Sequence, residues 1–236
     1  MRLDKFISEI GAASRKEAAL AAKRGQLTVD GEVVRDTSRH ISPEINRVVF
    51  MGRELEYSKY TYIMLNKPEG YVSATDDRSL PYVTELLPEE LRRRELFPVG
   101  RLDKDTVGLM ILTNNGKLAH RLLSPKKHVK KVYRFSAKVP MREGAEDEFR
   151  EGVTLSDGYE CKPSELSLDD DRLGGYITLT EGKYHQIKRM VAATDNRVIS
   201  LKRVSFAGIT LDEALGEGEW RFLTEKEVEM LENVNN

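Results

Sequence analysis

The chain reads as an α+β protein, and three observations point there. Apolar residues recur at helical spacing in some stretches and as short runs or alternations in others, intermixed without a regular strand–helix–strand rhythm. The N-terminal part has its own order of helix, helix and hairpin. Near Thr61 the composition changes, and a buried-type strand follows the polar stretch Tyr57 to Tyr60. Two domains are therefore expected, a small one over residues 1–57 and a larger one over residues 60–236.

Each element has a local reason. Leu3, Phe6, Ile7 and Ile10 fall on one helical face, and Gly11 ends that helix. Ser14 followed by Glu17 is a capping-box pattern opening a second helix, which Gly25 stops. Leu27 to Val34 predicts two short strands around Asp30-Gly31, a favoured hairpin turn. Val48 to Phe50 and Leu55 continue the strands. In the larger domain Tyr62 to Leu65 predicts a buried strand. Asn66-Lys67-Pro68-Glu69-Gly70 predicts a turn, because Pro68 fixes its own φ and restrains Lys67, and Tyr71 to Ser73 resumes the strand. A helical stretch ends near Leu87-Pro88. Leu109 to Leu112 is an apolar strand, Asn114-Asn115-Gly116 a turn, and Lys117 to Leu123 a short helix halted by Pro125. Lys130 to Phe135 alternates as a strand does. An acidic helix spans Glu143 to Arg150. Strands are expected over Val153 to Leu166, Tyr176 to Leu179 and Val204 to Leu211, and a helix over Lys183 to Ala193. Thr224 with Glu227 caps a terminal helix.

Composition narrows the function. Lys and Arg number 38 against 39 Asp and Glu, a net charge of −1, so any nucleic-acid surface must come from local segregation of charge. The single cysteine, Cys161, excludes an internal disulfide and fits a reducing compartment. No apolar run approaches a membrane span, and MRLDKF lacks the apolar core of a signal peptide. The expectation is a soluble cytoplasmic protein with no membrane partner. The four His residues are scattered without zinc spacing, and there is neither a Gly-rich phosphate loop nor a GxSxG elbow. No metal and no cofactor are expected.

One stretch stands out, Gly100 to Gly116. It carries Asp103 and Asp105. No further acid appears until Glu143, while nine Lys or Arg do, among them Lys126, Lys127 and Lys130. A carboxylate at the head of a long acid-free basic segment suggests a reactive group beside a polyanion. On a strand, Arg101, Asp103 and Asp105 would share one side. As a glycosidase pair the two acids sit too close, since such carboxylates need roughly 5 Å or more between them. Taken alone, Asp103 reads sooner as a surface turn or cap acid, and Arg15, Lys16, Lys23 and Arg24 around the second helix sooner as a solvated face.

Four segments in order resolve these readings into a resemblance. Gly100-Arg101-Leu102-Asp103 followed by Thr106, Gly108 and Leu109 resembles the signature of pseudouridine synthases in the form used by the RsuA family. Asn66-Lys67-Pro68-Glu69-Gly70 is similar to the family's first motif, Lys131-Val132-Tyr133 to its K-x-Y, and Gly182 to Met190 to its last motif. The helix–helix–hairpin start resembles the alpha-L RNA-binding module, a domain of ribosomal-protein type. Residues 1 to 232 are covered, and the resemblance is closest to the small-subunit rRNA branch, with Asn115 and Val191 standing where Asp and Phe are common.

The resemblance implies an alpha-L RNA-binding domain joined to a catalytic domain built on a mixed or antiparallel sheet. It implies isomerisation of one uridine in small-subunit (16S) rRNA, and nothing in the sequence calls for an obligate oligomer, so a monomer is expected. Asp103 would be the essential carboxylate, either a nucleophile at C1′ or the base that removes the 2′ proton; the sequence leaves both open. Lys188 would pair with it. Tyr133 would stack on the everted base, Leu102 and Ile187 would wall the uracil, and Arg101 would hold the flipped nucleotide. Arg15, Lys16, Lys23, Arg24, Lys126, Lys127 and Lys130 would meet RNA phosphates. A large-subunit rRNA enzyme of the same family and a non-catalytic ribosome-assembly factor are the competing readings. Binding alone would not require Asp103, Tyr133 and Lys188 together. A methyltransferase is disfavoured, because no glycine-rich strand–turn–helix offers a methyl-donor site.

Overall fold

The computed structural model describes residues 1–234; the final two positions of the domain expected to run to residue 236 lie outside them. The chain divides into two compact units, Met1–Thr61 with Leu87–Phe97, and Tyr62–Leu86 with the chain from Pro98 onward. The segment Leu87–Phe97, which lies beyond the boundary read at residues 57–60, thus packs with the first unit.

In the first unit the helix Leu3–Glu9 buries Leu3, Phe6 and Ile7. The helix Arg15–Lys23 opens on a capping box in which Ser14 and Glu17 each accept the other's backbone N–H. Both sit on a four-stranded antiparallel sheet built from Leu27–Val29, Glu32–Val33, Val48–Phe50 and Arg53–Leu55. Asp30 and Gly31 take φ of 54° and 86°, the left-handed pair that a tight hairpin demands. Arg94 ties the returning segment down, donating from Nε to the Ile10 carbonyl at 2.8 Å and from Nη1 to Thr61 Oγ1 at 2.7 Å. Gly11 is required there: with φ of 75°, a Cβ would lie 1.9 Å from the Glu90 carbonyl oxygen.

In the second unit seven strands lie side by side in the order Trp220–Phe222, Tyr62–Lys67, Val107–Thr113, Val198–Phe206, Lys131–Ala137, Gly174–Leu179 and Glu165–Leu168. Val107–Thr113 and Val198–Phe206 pair in parallel and the other neighbours are antiparallel, so the sheet is mixed. The parallel pair approaches closely at Gly108, where φ is 99° and a Cβ would meet the Arg203 carbonyl oxygen at 2.3 Å. The helices Gly116–Leu123, Ala145–Glu151, Gln186–Ala193 and Glu225–Asn233 complete the unit.

Several sequence expectations are corrected. Asn66 and Lys67 belong to the strand and are buried, so the turn begins only at Pro68. Residues 71–73 make one isolated bridge, Val72 to Tyr82, because Ser73 is drawn into hydrogen bonds with Leu102 instead. Val153 to Ser164 is an irregular arm carrying a single bridge, Thr154 to Glu160, and its strand is Glu165–Leu168. Gly116 starts a helix capped by the Asn115 side chain. The strand expected from Val204 begins at Val198, and Trp220–Phe222 was not foreseen. Residues 101–106, whose conformation the sequence left open, form a turn closed by the Thr106 N–H on the Asp103 carbonyl at 3.1 Å.

Candidate active site

A cavity of about 900 Å³ opens in the second unit, and it gathers most of the residues singled out from the sequence. Arg101, Leu102, Asp103, Tyr133, Ile187 and Lys188 all line it. Leu102 and Ile187 are buried in its wall, Tyr133 is 9% exposed, and Arg101 is exposed at its edge. Lys126 and Lys127 stand outside the lining, on the short turn Pro125–Lys127 whose first residue lines the cavity, and Lys130 is exposed beyond it. Arg15, Lys16, Lys23 and Arg24 are exposed on the first unit.

Asp103 reaches the cavity because its turn is held from beneath. The Lys67 ammonium, fully buried, donates to the carbonyls of Pro68, Lys104 and Thr106 at 3.0, 3.2 and 2.8 Å. Those three acceptors use the three donors that an ammonium has. Burial nevertheless pushes Lys67 down to about 8, with Asp105 and Asp103 partly restoring its charge. Gly70 N–H donates to the Lys104 carbonyl at 2.9 Å. Ser73 Oγ donates to the Leu102 carbonyl and accepts from the Leu102 N–H, at 2.7 and 2.9 Å. The Asn66–Gly70 motif and Ser73 are thus the mould for residues 102–106. Sequence reading singled out the motif without this role, because a lysine beside Pro-Glu-Gly looks like a solvated turn residue.

Lys188 lies over the turn. Its ammonium donates to Asp103 Oδ2 at 3.0 Å and to Asp105 Oδ1 at 2.6 Å. Partial burial pulls Lys188 down, but the hydrogen bonds to Asp105 and Asp103 outweigh it and hold it above its ordinary value. The same bond holds Asp105 below the usual carboxylate range. His185 completes the ring, with Nε2 at 3.6 Å from Asp103 Oδ1. The helix expected from Lys183 in fact starts at Gln186, because His185 is left-handed at φ 49°. That kink lets His185 and Lys188, one turn apart, both face Asp103. Asp105 and His185 are partners the sequence reading did not assign.

The arrangement offers a partly exposed carboxylate with a cation on one side and a deep, half-apolar cavity beside it. Such a group is suited to nucleophilic or base chemistry on a bound ring and sugar. Among the described residues no cluster of His, Cys, Asp or Glu is arranged to hold a metal, and no helix is long and apolar enough to cross a membrane.

The chain is similar to known proteins along nearly its whole length. The family model described as RNA pseudouridylate synthase matches residues 61–193, and the S4 domain model matches residues 1–44. The uncharacterized RNA pseudouridine synthase YtzG of Bacillus subtilis (strain 168) is 44% identical over 234 residues, spanning 98% of both chains. Ribosomal small subunit pseudouridine synthase A of Escherichia coli (strain K12) is 40% identical over 230 residues, 97% of this chain and 98% of its own. A crystal structure of a pseudouridylate synthase is similar over 98% of this chain and 99% of that one, with a TM-score of 0.70 at 38% identity.

Proposed function

Since the chain belongs to the RNA pseudouridylate synthase family, and so is an isomerase acting on RNA, we propose that its substrate is one uridine of small-subunit (16S) rRNA and that Asp103 is its essential carboxylate. The observation that carries this reading is the Asp103–Lys188 pair, 3.0 Å apart at the wall of the cavity. The 40% identity to the E. coli small-subunit enzyme along nearly the whole chain supports the rRNA branch.

Each residue then has a task. The target base must leave its stack, which costs a few kcal/mol and least in irregular RNA. Tyr133 stacks on the everted uracil, with Leu102 and Ile187 closing around it. Arg101 holds the flipped nucleotide at the mouth. Asp103 then either attacks C1′ or removes the 2′ proton, the N1–C1′ bond breaks so that the base leaves C1′, and the base turns and rejoins C1′ through C5. Lys188 orients the carboxylate through its hydrogen bond and gives it a cationic partner. Residues 1–57 serve as the RNA-binding domain through Arg15, Lys16, Lys23 and Arg24. Lys126, Lys127 and Lys130 add phosphate contacts beside the catalytic domain, residues 60–236. The enzyme works as a cytoplasmic monomer, on rRNA or an assembling ribosomal particle.

The test is to map pseudouridines in rRNA from cells with the protein, without it, and with Asp103→Asn in its place. One small-subunit pseudouridine should vanish in the last two. A lost site in large-subunit rRNA would move the substrate, and a retained site with Asp103→Asn would remove Asp103 from the chemistry. The purified variant should keep its affinity for RNA.

A further inference from the structure

Two cations in the cavity have no part in the scheme above. The strand Lys131–Ala137 puts Lys131 and Tyr133 on one face, since side chains alternate along a strand. On the neighbouring antiparallel strand Arg203 stands directly opposite Tyr133. All three line the same cavity as Asp103. Arg203 is only 1% exposed. Its Nε donates to the Leu109 carbonyl at 2.7 Å, and its guanidinium carbon lies 5.1 Å from the centre of the Phe206 ring. Its Nη2 is shut off from solvent with no hydrogen-bond partner. Lys131 Nζ donates to the Val129 carbonyl at 2.9 Å, which leaves two of its three N–H groups.

Like charges drawn together and partly out of water are costly to a fold unless an acid pairs with them directly. The acid that faces Lys131 is Glu181, and its carboxylate is already taken. It accepts from the Tyr159 hydroxyl at 2.9 Å, the Lys162 N–H at 3.0 Å and Gln186 Nε2 at 2.6 Å. Burial first, and Arg203 second, push Lys131 down to about 8 against the pull of Glu181. Cations and donors gathered in one wall at a cost in stability are what a site for an electron-rich ligand looks like.

We propose that Lys131 and Arg203 form a cationic wall for the uracil ring, stabilising the negative charge that gathers on the base when its glycosidic bond breaks. The inference rests on the pseudouridine synthase reading and on Tyr133 as the base's platform. When N1–C1′ breaks, the bonding pair stays with the base and spreads over N1, O2 and O4. C1′ is satisfied by the Asp103 carboxylate or by the C2′–H electrons. The base turns and C5 bonds to C1′ as the Asp103–C1′ bond breaks or the proton returns to C2′; the C5 proton leaves and N1 takes one from solvent, so the product is an isomer with nothing added or lost overall. Lys131 gains and loses no proton in these steps. It acts electrostatically, and more strongly on the anion than on the neutral base, which is the condition for raising a rate. Arg203 lies too deep to serve a backbone phosphate, which separates this pair from Arg101 at the edge.

The experiment compares wild type, Lys131→Met, Lys131→Arg and Asp103→Asn as full chains. The probe is total rRNA from cells lacking the protein, tritiated at uridine C5; tritium release reports C5–C1′ bond formation. Lys131→Met should lower the single-turnover rate about 100-fold with RNA affinity within about twofold. Lys131→Arg should recover most of that loss. Because the charged form is the working one, wild-type kcat/KM should fall as pH rises through about 8. That limb should move to higher pH in Lys131→Arg and shrink in Lys131→Met to the part that Lys67, also held at about 8, contributes. A Lys131→Met enzyme with the wild-type rate and limb overturns the proposal. So does one whose loss lies wholly in RNA affinity, which would make Lys131 a phosphate contact. If Lys131→Met does not fold, identical pH profiles for wild type and Lys131→Arg overturn it. Full activity in Asp103→Asn, or none in wild type, would instead strike the reading underneath.

Discussion

Arg15, Lys16, Lys23 and Arg24 on the first unit and Lys67 and Lys188 in the second are all cations, yet the protein uses them in opposite ways. The first four are exposed side chains on and just after one helix, free to swing toward whatever negative charge approaches. Lys67 is fully buried with its three N–H groups committed to three carbonyls, and Lys188 is pinned between two carboxylates. Exposed cations act by number, because in water each adds a small, screened increment. Held cations act by position, and each supports a geometry that no neighbour can supply. The contrast makes graded predictions, beginning where position should matter most.

Lys67→Met keeps the length and the apolar stem but leaves the carbonyls of Pro68, Lys104 and Thr106 without their donor. The expected stability loss is about 2–4 kcal/mol, read as a lowered urea midpoint. Activity should fall further than stability accounts for, because the Asp103 turn loses its mould. A stable, fully active Lys67→Met would mean that the Ser73 and Gly70 hydrogen bonds hold the turn unaided.

Lys188→Met should act more narrowly. Asp103 and Asp105 lose their shared cation, and two neighbouring carboxylates then repel each other. Turnover should drop roughly 10- to 100-fold with RNA affinity unchanged, since a positioned charge partner is removed but the cavity remains. The melting temperature should move little, because Asp105 and Lys188 are partly exposed. Unaltered turnover would detach Lys188 from the chemistry.

The same contrast governs what the sequence makes legible. Both capping boxes, the Asp30-Gly31 hairpin and the apolar strands follow from local rules, and each formed where its residues lie. Lys188 was legible because its motif places it on a helix three residues after His185. Lys67 and Arg203 were not legible as buried groups, nor Lys131 as a half-buried one, since the sequence carries no sign of which basic residue on a strand faces inward. Arg203 is buried only because the sheet order sets its strand between two others, next to Gly108 and opposite Tyr133. The turn at residues 101–106 was not legible for a related reason. What bends them is the Lys67 and Ser73 side chains, more than twenty-five residues away along the chain.

The smallest effects belong to the first unit, and they test its half of the comparison. Replacing any one of Arg15, Lys16, Lys23 or Arg24 with Gln should weaken rRNA binding only a few-fold at physiological salt. The slope of log affinity against log salt should become shallower by about 0.7 to 0.9 for each phosphate that is no longer neutralised. The turnover of bound RNA should be unchanged. Pairs of substitutions should add, since independent solvated charges have no shared geometry to disrupt. Filter binding across a salt series reads both quantities at once. Four near-equal, additive losses would confirm that this surface works by number. One residue whose loss far exceeds the others, and persists at high salt where Coulombic attraction is screened, would break the comparison: that cation would be held by a specific RNA feature, as Lys188 is held by Asp103 and Asp105.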